Sequence, residues 1–381
     1  MLNERLRRLH DAGVSIWLDF IERTMLRNGD LERRITDDLL TGMTSNPTIF
    51  EKALAEGTSY DDQIRSAPGD LTATELFELV ATTDVRDACD TFHAVYEREK
   101  GRDGYVSIEV APALSHDTAG TLSEATRLWS TVNRPNVMVK IPGTVEGVDA
   151  VRRAIANGIN VNITLLFSLT AYGRVIEAYM SGLEDRVRAG KEVRGIASVA
   201  SFFVSRVDTE VDKRLDTLLE KAPPVERKKL ERLKGKAAIA NAQLAYRLFQ
   251  ESVSTDRWRA LEERGASVQR PLWASTSTKN PAYRDVMYIE QLIGPMIVNT
   301  MPPQTIDAFR EHGDIERTVD RDFGAAQRVI DELASVGISM DDVTDKLLVD
   351  GLASFQKSFD SLIAGLSKKT KALGRDLVAS R

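Results

Sequence analysis

Short apolar runs recur along the chain, and between them the apolar residues fall three and four positions apart. The runs are "VSIWLDF" (14–20), "TGMTSN" (41–46), "YVSIEV" (105–110) and "VMVKIP" (137–142), followed by "VNITLLF" (161–167), "IASVASFFV" (196–204), "VQRPLWAS" (268–275) and "MIVNT" (296–300). Several are nearly continuous in apolar residues rather than alternating, as in strands covered on both faces. The segments between them read as helices, clearest over 123–133, 144–158 and 169–190, the second ending in an Asn157-Gly158 stop. Strand–helix alternation, repeated eight times, predicts an α/β fold, a closed parallel (β/α)8 TIM barrel. An open doubly wound sheet is the alternative.

No linker or internal repeat divides the chain, so residues 1–381 are expected to form one barrel domain with helical elaborations. These fall at about 51–104, read as helical and polar, and at about 207–262, where "APP" (222–224) breaks a charged segment into more than one helix. The tail, 353–381, reads as an amphipathic helix with a basic end.

Composition removes several classes of function. A formal net charge of −6 gives no electrostatic case for nucleic acid as a partner. No apolar run approaches the roughly 18 residues that span a bilayer, and the basic "MLNERLRRLHDAG" start lacks the apolar core of a signal peptide. Cys89 is the only cysteine, which excludes an intrachain disulfide and a thiolate metal cluster. A cytoplasmic protein is expected.

Polar residues gather where the apolar runs end. Asp19 closes the first, Thr44, Ser45 and Asn46 the second, Glu109 lies near the end of the third and Lys140 near the end of the fourth. Asn162 and Thr164 lie in the fifth, Ser201 in the sixth, and Ser275 ends the seventh. Each has an ordinary explanation. Asp19 is suited to cap a helix, Asn46 before Pro47 is a common turn residue, and Lys140 has a stem long enough to reach solvent. Their shared placement argues for a site, because parallel barrel strands bring their C-terminal ends to one face. The four histidines, His10, His93, His116 and His312, show no metal-binding spacing and no serine-triad partner, and no Gly-rich phosphate loop is present. Chemistry with neither metal nor nucleotide cofactor is expected. A lysine nucleophile with two carboxylates suits Schiff-base formation on a carbonyl sugar.

Three segments carry a family likeness. "GMTSNPTIF" (42–50) resembles the first transaldolase signature, "VMVKIPGTVEGVDAVRRAIANGINVNITLLFS" (137–168) resembles that family's Schiff-base lysine segment, and "SVASFFVSRVD" (198–208) resembles its later serine–phenylalanine–arginine segment. The resemblance runs in order from Asp19 to about Ser277. It implies a class I aldolase barrel, and Lys140 as the residue that attacks the ketose carbonyl. It implies that Asp19 moves the C4 hydroxyl proton and that Glu109, with Thr164, handles the water of imine formation and hydrolysis. Asn46 and Asn162 would hold the retained dihydroxyacetone unit, with Thr44 and Ser201 lining the site and Phe203 walling it. Arg206 and Ser275 would hold the substrate phosphate. Many members have an arginine two residues after that serine. Here Ser277 stands there and Lys279 follows, so Lys279 is assigned to the phosphate.

The implied activity is transaldolase, passing a dihydroxyacetone unit between sugar phosphates in the pentose phosphate pathway without a cofactor, as a monomer or homodimer. A lysine aldolase that cleaves or makes fructose 6-phosphate is the nearest alternative. A non-catalytic sugar-phosphate binder is a more distant one, because binding alone needs no nucleophile beside two carboxylates.

Overall fold

The computed structural model describes residues 3–55 and 57–378. Its core is a closed barrel of eight parallel strands, each hydrogen-bonded to the next in chain order and the last to the first. The strands are β1 (Val14–Asp19), β2 (Leu40–Thr44), β3 (Tyr105–Glu109), β4 (Val137–Pro142), β5 (Val161–Leu166), β6 (Ser198–Phe203), β7 (Arg270–Ala274) and β8 (Ile297–Met301). Every apolar run is a strand, with ends that differ by at most two residues. Closure rules out the open sheet.

Side-chain size sets how the barrel interior closes. Trp17 of β1 pairs in register with Gly42 of β2. A Cβ built on Gly42 would lie 2.5 Å from the Trp17 ring, so only glycine lets the indole fill that layer. Asp19, two residues beyond Trp17 on the same face of β1, then points to the C-terminal mouth.

Local signals fix the intervening helices. Asp117, Thr144 and Ser168 accept backbone N–H bonds at the starts of the Thr118–Val132, Val145–Asn157 and Leu169–Arg188 helices. Gly158, at φ 91°, terminates the second, as the Asn-Gly stop predicts.

Two helical regions differ from the sequence reading. Residues 51–104 are helical but not simply polar. The 26-residue helix Ala73–Arg98 buries Leu76, Val80, Val85, Cys89 and Phe92, and its charged outer face masks this stripe in the sequence. The tail helix begins well before residue 353, spanning Met340–Ala372 from a Ser339 cap. It packs on the Pro47–Ala55 helix that follows β2, where Thr48 Oγ1 donates to Ser358 Oγ at 2.8 Å. Phe355 is thereby brought to the barrel mouth. The charged region after β6 forms the helices Ser205–Leu219, Pro224–Leu233, Ala237–Val253 and Asp256–Glu262, with Pro224 opening the second.

Candidate active site

The C-terminal mouth holds a cavity of about 460 Å³, within the usual range for a small-molecule site. Asp19, Thr44, Asn46, Lys140, Thr164 and Ser201 line its inner part. Phe203, Arg206, Ser275, Ser277 and Lys279 line one side, and the Pro47–Ala55 helix contributes Thr48, Ile49 and Lys52. Two of the residues given a role in the sequence reading, Glu109 and Asn162, do not line this cavity. They flank Lys140 in register on β3 and β5.

Lys140 is almost fully enclosed, its side chain 7% exposed. Its Nζ donates to the Ser45 carbonyl oxygen at 2.9 Å and lies 3.5 Å from Glu109 Oε2, an ion-pair contact rather than a hydrogen bond. Both Glu109 carboxylate oxygens are buried with no hydrogen-bond partner among the described residues, and so is Thr164 Oγ1. Buried polar atoms are rarely left this way, and the strands on either side of Lys140 each carry one. Burial pushes the Glu109 carboxyl pKa upward. Lys140 opposes the shift, and the nearby Asp19 charge adds to it.

Asp19 opens onto the cavity but sits deep among protein atoms. That desolvation raises its pKa against the pull of Lys140, the hydrogen bond from Thr44, and the positive charges of Lys279 and Arg206. Thr44 Oγ1 donates to Asp19 Oδ1 at 2.7 Å and lies 2.6 Å from Thr300 Oγ1. Asn162 is fully buried; its Nδ2 donates to Ser107 Oγ at 3.0 Å, and its Oδ1 accepts from Ser201 Oγ at 2.6 Å. Asn46 lines the cavity, and its Oδ1 accepts the Ile49 N–H at 3.0 Å.

The other end of the cavity is positive. The Arg206 guanidinium lies 5.1 Å from the Phe203 ring centre, within cation–π range. It has no carboxylate at ion-pair distance among the described residues. Burial lowers its pKa, and lowers that of Lys279, whose ammonium also feels Arg206. Lys279 Nζ donates to Ser277 Oγ at 2.8 Å, and Ser205 and Ser275 hydroxyls meet at 2.9 Å. Ser275 adopts φ 56°, in the left-handed region, with its carbonyl accepting the Ser205 N–H at 3.0 Å. A non-glycine residue held there marks a backbone shaped by its surroundings.

Several lining residues escaped the sequence reading. Thr300 ends the eighth apolar run, so its polar strand-end position was available as a signal. Gln304, in the Pro303–His312 helix after β8, and Phe355, in the tail helix, carried none. Among the described residues, no group of three or more His, Cys, Asp or Glu side chains is placed to hold a metal ion.

A closed parallel barrel whose mouth presents a buried lysine, nearby carboxylates and a basic far end defines a (β/α)8 enzyme suited to small anionic substrates. Residues 16–366 match the family model described as transaldolase/fructose-6-phosphate aldolase. A transaldolase of Trichodesmium erythraeum is 46% identical over 377 residues, covering 98% of this chain and 99% of the relative. One from Thermobifida fusca is 47% identical over 369 residues (96% and 98%), and one from Acidothermus cellulolyticus 45% over 377 (98% and 99%). The chain belongs to the transaldolase/fructose-6-phosphate aldolase family. Its activity is that of a transaldolase, a transferase of the pentose phosphate pathway.

Proposed function

We infer that the enzyme takes a dihydroxyacetone unit from sedoheptulose 7-phosphate and gives it to glyceraldehyde 3-phosphate, through an imine on Lys140. The observation that carries this reading is the enclosed Lys140 amine, held by the Ser45 carbonyl and Glu109 at the mouth of the barrel. The amine adds to the ketose C2 carbonyl, and loss of water gives the imine. Asp19 accepts the C4 hydroxyl proton as the C3–C4 bond breaks, the electron pair moves to the imine nitrogen, and erythrose 4-phosphate leaves. The resulting three-carbon enamine attacks the aldehyde of glyceraldehyde 3-phosphate, Asp19 returns its proton to the new hydroxyl, and hydrolysis releases fructose 6-phosphate.

Glu109 and Thr164 are assigned to the water of imine formation and hydrolysis. Their unpartnered oxygens, on the strands flanking Lys140, support that role. Asn46 and Asn162, with Thr44 and Ser201, hold the three-carbon unit, and Phe203 walls it. Arg206, Ser275 and Lys279 take the phosphate, supported by the two cations and the serine hydroxyl that line the same cavity. No helix among the described residues is long and apolar enough to cross a membrane. We assign the enzyme to the cytoplasm, acting on sugar phosphates as a monomer or homodimer.

A coupled assay with sedoheptulose 7-phosphate and glyceraldehyde 3-phosphate tests the reaction, with fructose 6-phosphate as the expected product. Release of free dihydroxyacetone from fructose 6-phosphate as the main activity would instead assign the aldolase reaction.

Arg206→Ala removes a charge-assisted contact, an interaction of about 1.5–3 kcal/mol. KM for phosphorylated donors is therefore expected to rise by roughly 10- to 150-fold, with little change for unphosphorylated fructose. Equal losses on both donors would make Arg206 structural.

The raised Asp19 pKa also sets a pH limb. Asp19 must be ionised to accept the C4 proton, so kcat falls as pH drops through its pKa. Because burial has moved that pKa up, the acid limb should lie above the ordinary carboxylate value of about 4. A limb at or below about 4 would contradict the assignment.

A further inference from the structure

The loop after β7 must hold Ser275, Ser277 and Lys279 at the phosphate end without helix or strand between Ser275 and Val286. Side-chain anchors therefore have to supply what backbone regularity does not. Tyr283 within the stretch and Tyr288 just past it, in the short Met287–Glu290 helix, provide them. Tyr283 Oη donates to Asp212 Oδ2 at 2.5 Å, and Tyr288 Oη donates to Asp208 Oδ2 at 2.8 Å.

Asp208 and Asp212 are one turn apart on the Ser205–Leu219 helix, near whose N-terminus Arg206 projects into the cavity. Each uses its second oxygen to hold the turn before the Ala237–Val253 helix. Ala238 N–H donates to Asp208 Oδ1 at 2.8 Å, and Gly235 N–H donates to Asp212 Oδ1 at 3.0 Å. Gly235, at φ 67°, lies directly against the tyrosine, since a Cβ there would meet Tyr283 Cζ at 2.8 Å. The helix, the turn and the loop are thus tied at two carboxylates.

Lys279 shows why the tie matters. It lines the sugar-phosphate cavity on one side and, on the other, a recess of about 440 Å³ that includes Asp212, Asp216, Glu220 and Tyr283. Its ammonium therefore has carboxylates to turn to if the loop shifts. Tyr283 holds the loop and occupies an Asp212 oxygen that would otherwise be open to that ammonium.

We propose that Tyr283 and Asp212, backed by Tyr288 and Asp208, are positioning residues that keep Lys279 on the sugar-phosphate side of this divide. The proposal rests on the assignment of Lys279 to the substrate phosphate. It gives the helical region after β6 a part in substrate selection, although none of these four side chains needs to touch the sugar.

Steady-state kinetics on Tyr283→Phe test it, with fructose 6-phosphate and unphosphorylated fructose as alternative donors. KM for fructose 6-phosphate should rise roughly 3- to 10-fold, the size expected for loss of one hydrogen bond. The kcat values and the constants for fructose should hold, and inhibition by inorganic phosphate should weaken by a similar factor. In a Lys279→Met background the same substitution should add nothing, because the effect runs through Lys279. A full additional effect in that background, or equal losses on both donors, would overturn the proposal. Asp212→Ala is a second variant should Tyr283→Phe fold poorly; it removes the acceptor of the Tyr283 hydroxyl while Asp216 and Glu220 remain in the recess, so the same split is expected. Lys279→Met with unchanged KM for fructose 6-phosphate would refute the phosphate role of Lys279 itself. Arg206→Ala independently tests whether that end of the cavity binds phosphate at all.

Discussion

Lys140→Met is expected to fold, to bind sugar phosphates and to show no turnover. Methionine follows nearly the same path as the lysine stem but has no amine, so the covalent intermediate cannot form. The loss should exceed the roughly 10²- to 10⁴-fold contribution of a general acid–base group. Folding should survive. The Glu109 carboxyl left behind is already shifted toward its protonated form by burial, and it can neutralise instead of standing as an unpaired buried charge. The Ser45 carbonyl loses its donor, a cost on the order of one hydrogen bond. Turnover assays, with circular dichroism as the folding check, decide the matter. Activity within about 10²-fold of wild type would remove Lys140 from the chemistry.

Asp19→Asn should separate imine formation from carbon–carbon cleavage. The amide keeps an oxygen to accept the Thr44 hydroxyl but cannot take the C4 proton. A fall in kcat of about 10²–10⁴-fold is expected, with the imine still forming. Borohydride should then trap the whole ketose on the enzyme instead of a three-carbon unit. A three-carbon adduct formed at the wild-type rate would assign the proton transfer elsewhere.

The same substitution should raise the melting temperature near neutral pH. A carboxyl whose folded-state pKa is raised binds its proton more tightly in the folded chain. Its contribution to stability is therefore most favourable below the unfolded value of about 3.9 and declines as pH rises through the folded value. Asparagine removes that decline, so the gain should shrink as the buffer is made acidic. Activity and stability thus oppose one another at this residue.

The barrel was readable because strands covered on both faces leave nearly unbroken apolar runs, with polar residues placed in or near their mouth ends. Glu109, Lys140 and Asn162 illustrate this. They are successive partners in register across β3, β4 and β5, so three separate strand ends converge without any sequence proximity. The family resemblance then added Phe203, Arg206 and Lys279, which no periodicity had marked.

Other features were hidden for physical reasons. The Ala73–Arg98 helix carries its buried stripe beneath a charged outer face, and so reads as polar when taken residue by residue. Phe355 reaches the mouth only because the long tail helix crosses the Pro47–Ala55 helix, a tertiary event with no local signature. Asp208, Asp212, Tyr283 and Tyr288 meet across about 70 to 80 residues of sequence, and each looks like an ordinary surface residue until the fold joins them.

The central claim is that Lys140 forms the imine, and reductive trapping tests it most directly. Wild-type enzyme is treated with fructose 6-phosphate and borohydride, digested, and the modified peptide identified by mass spectrometry. The expected result is irreversible inactivation with a reduced three-carbon adduct on the Lys140 peptide. An adduct on another lysine, or full activity after reduction in the presence of substrate, would contradict the mechanism.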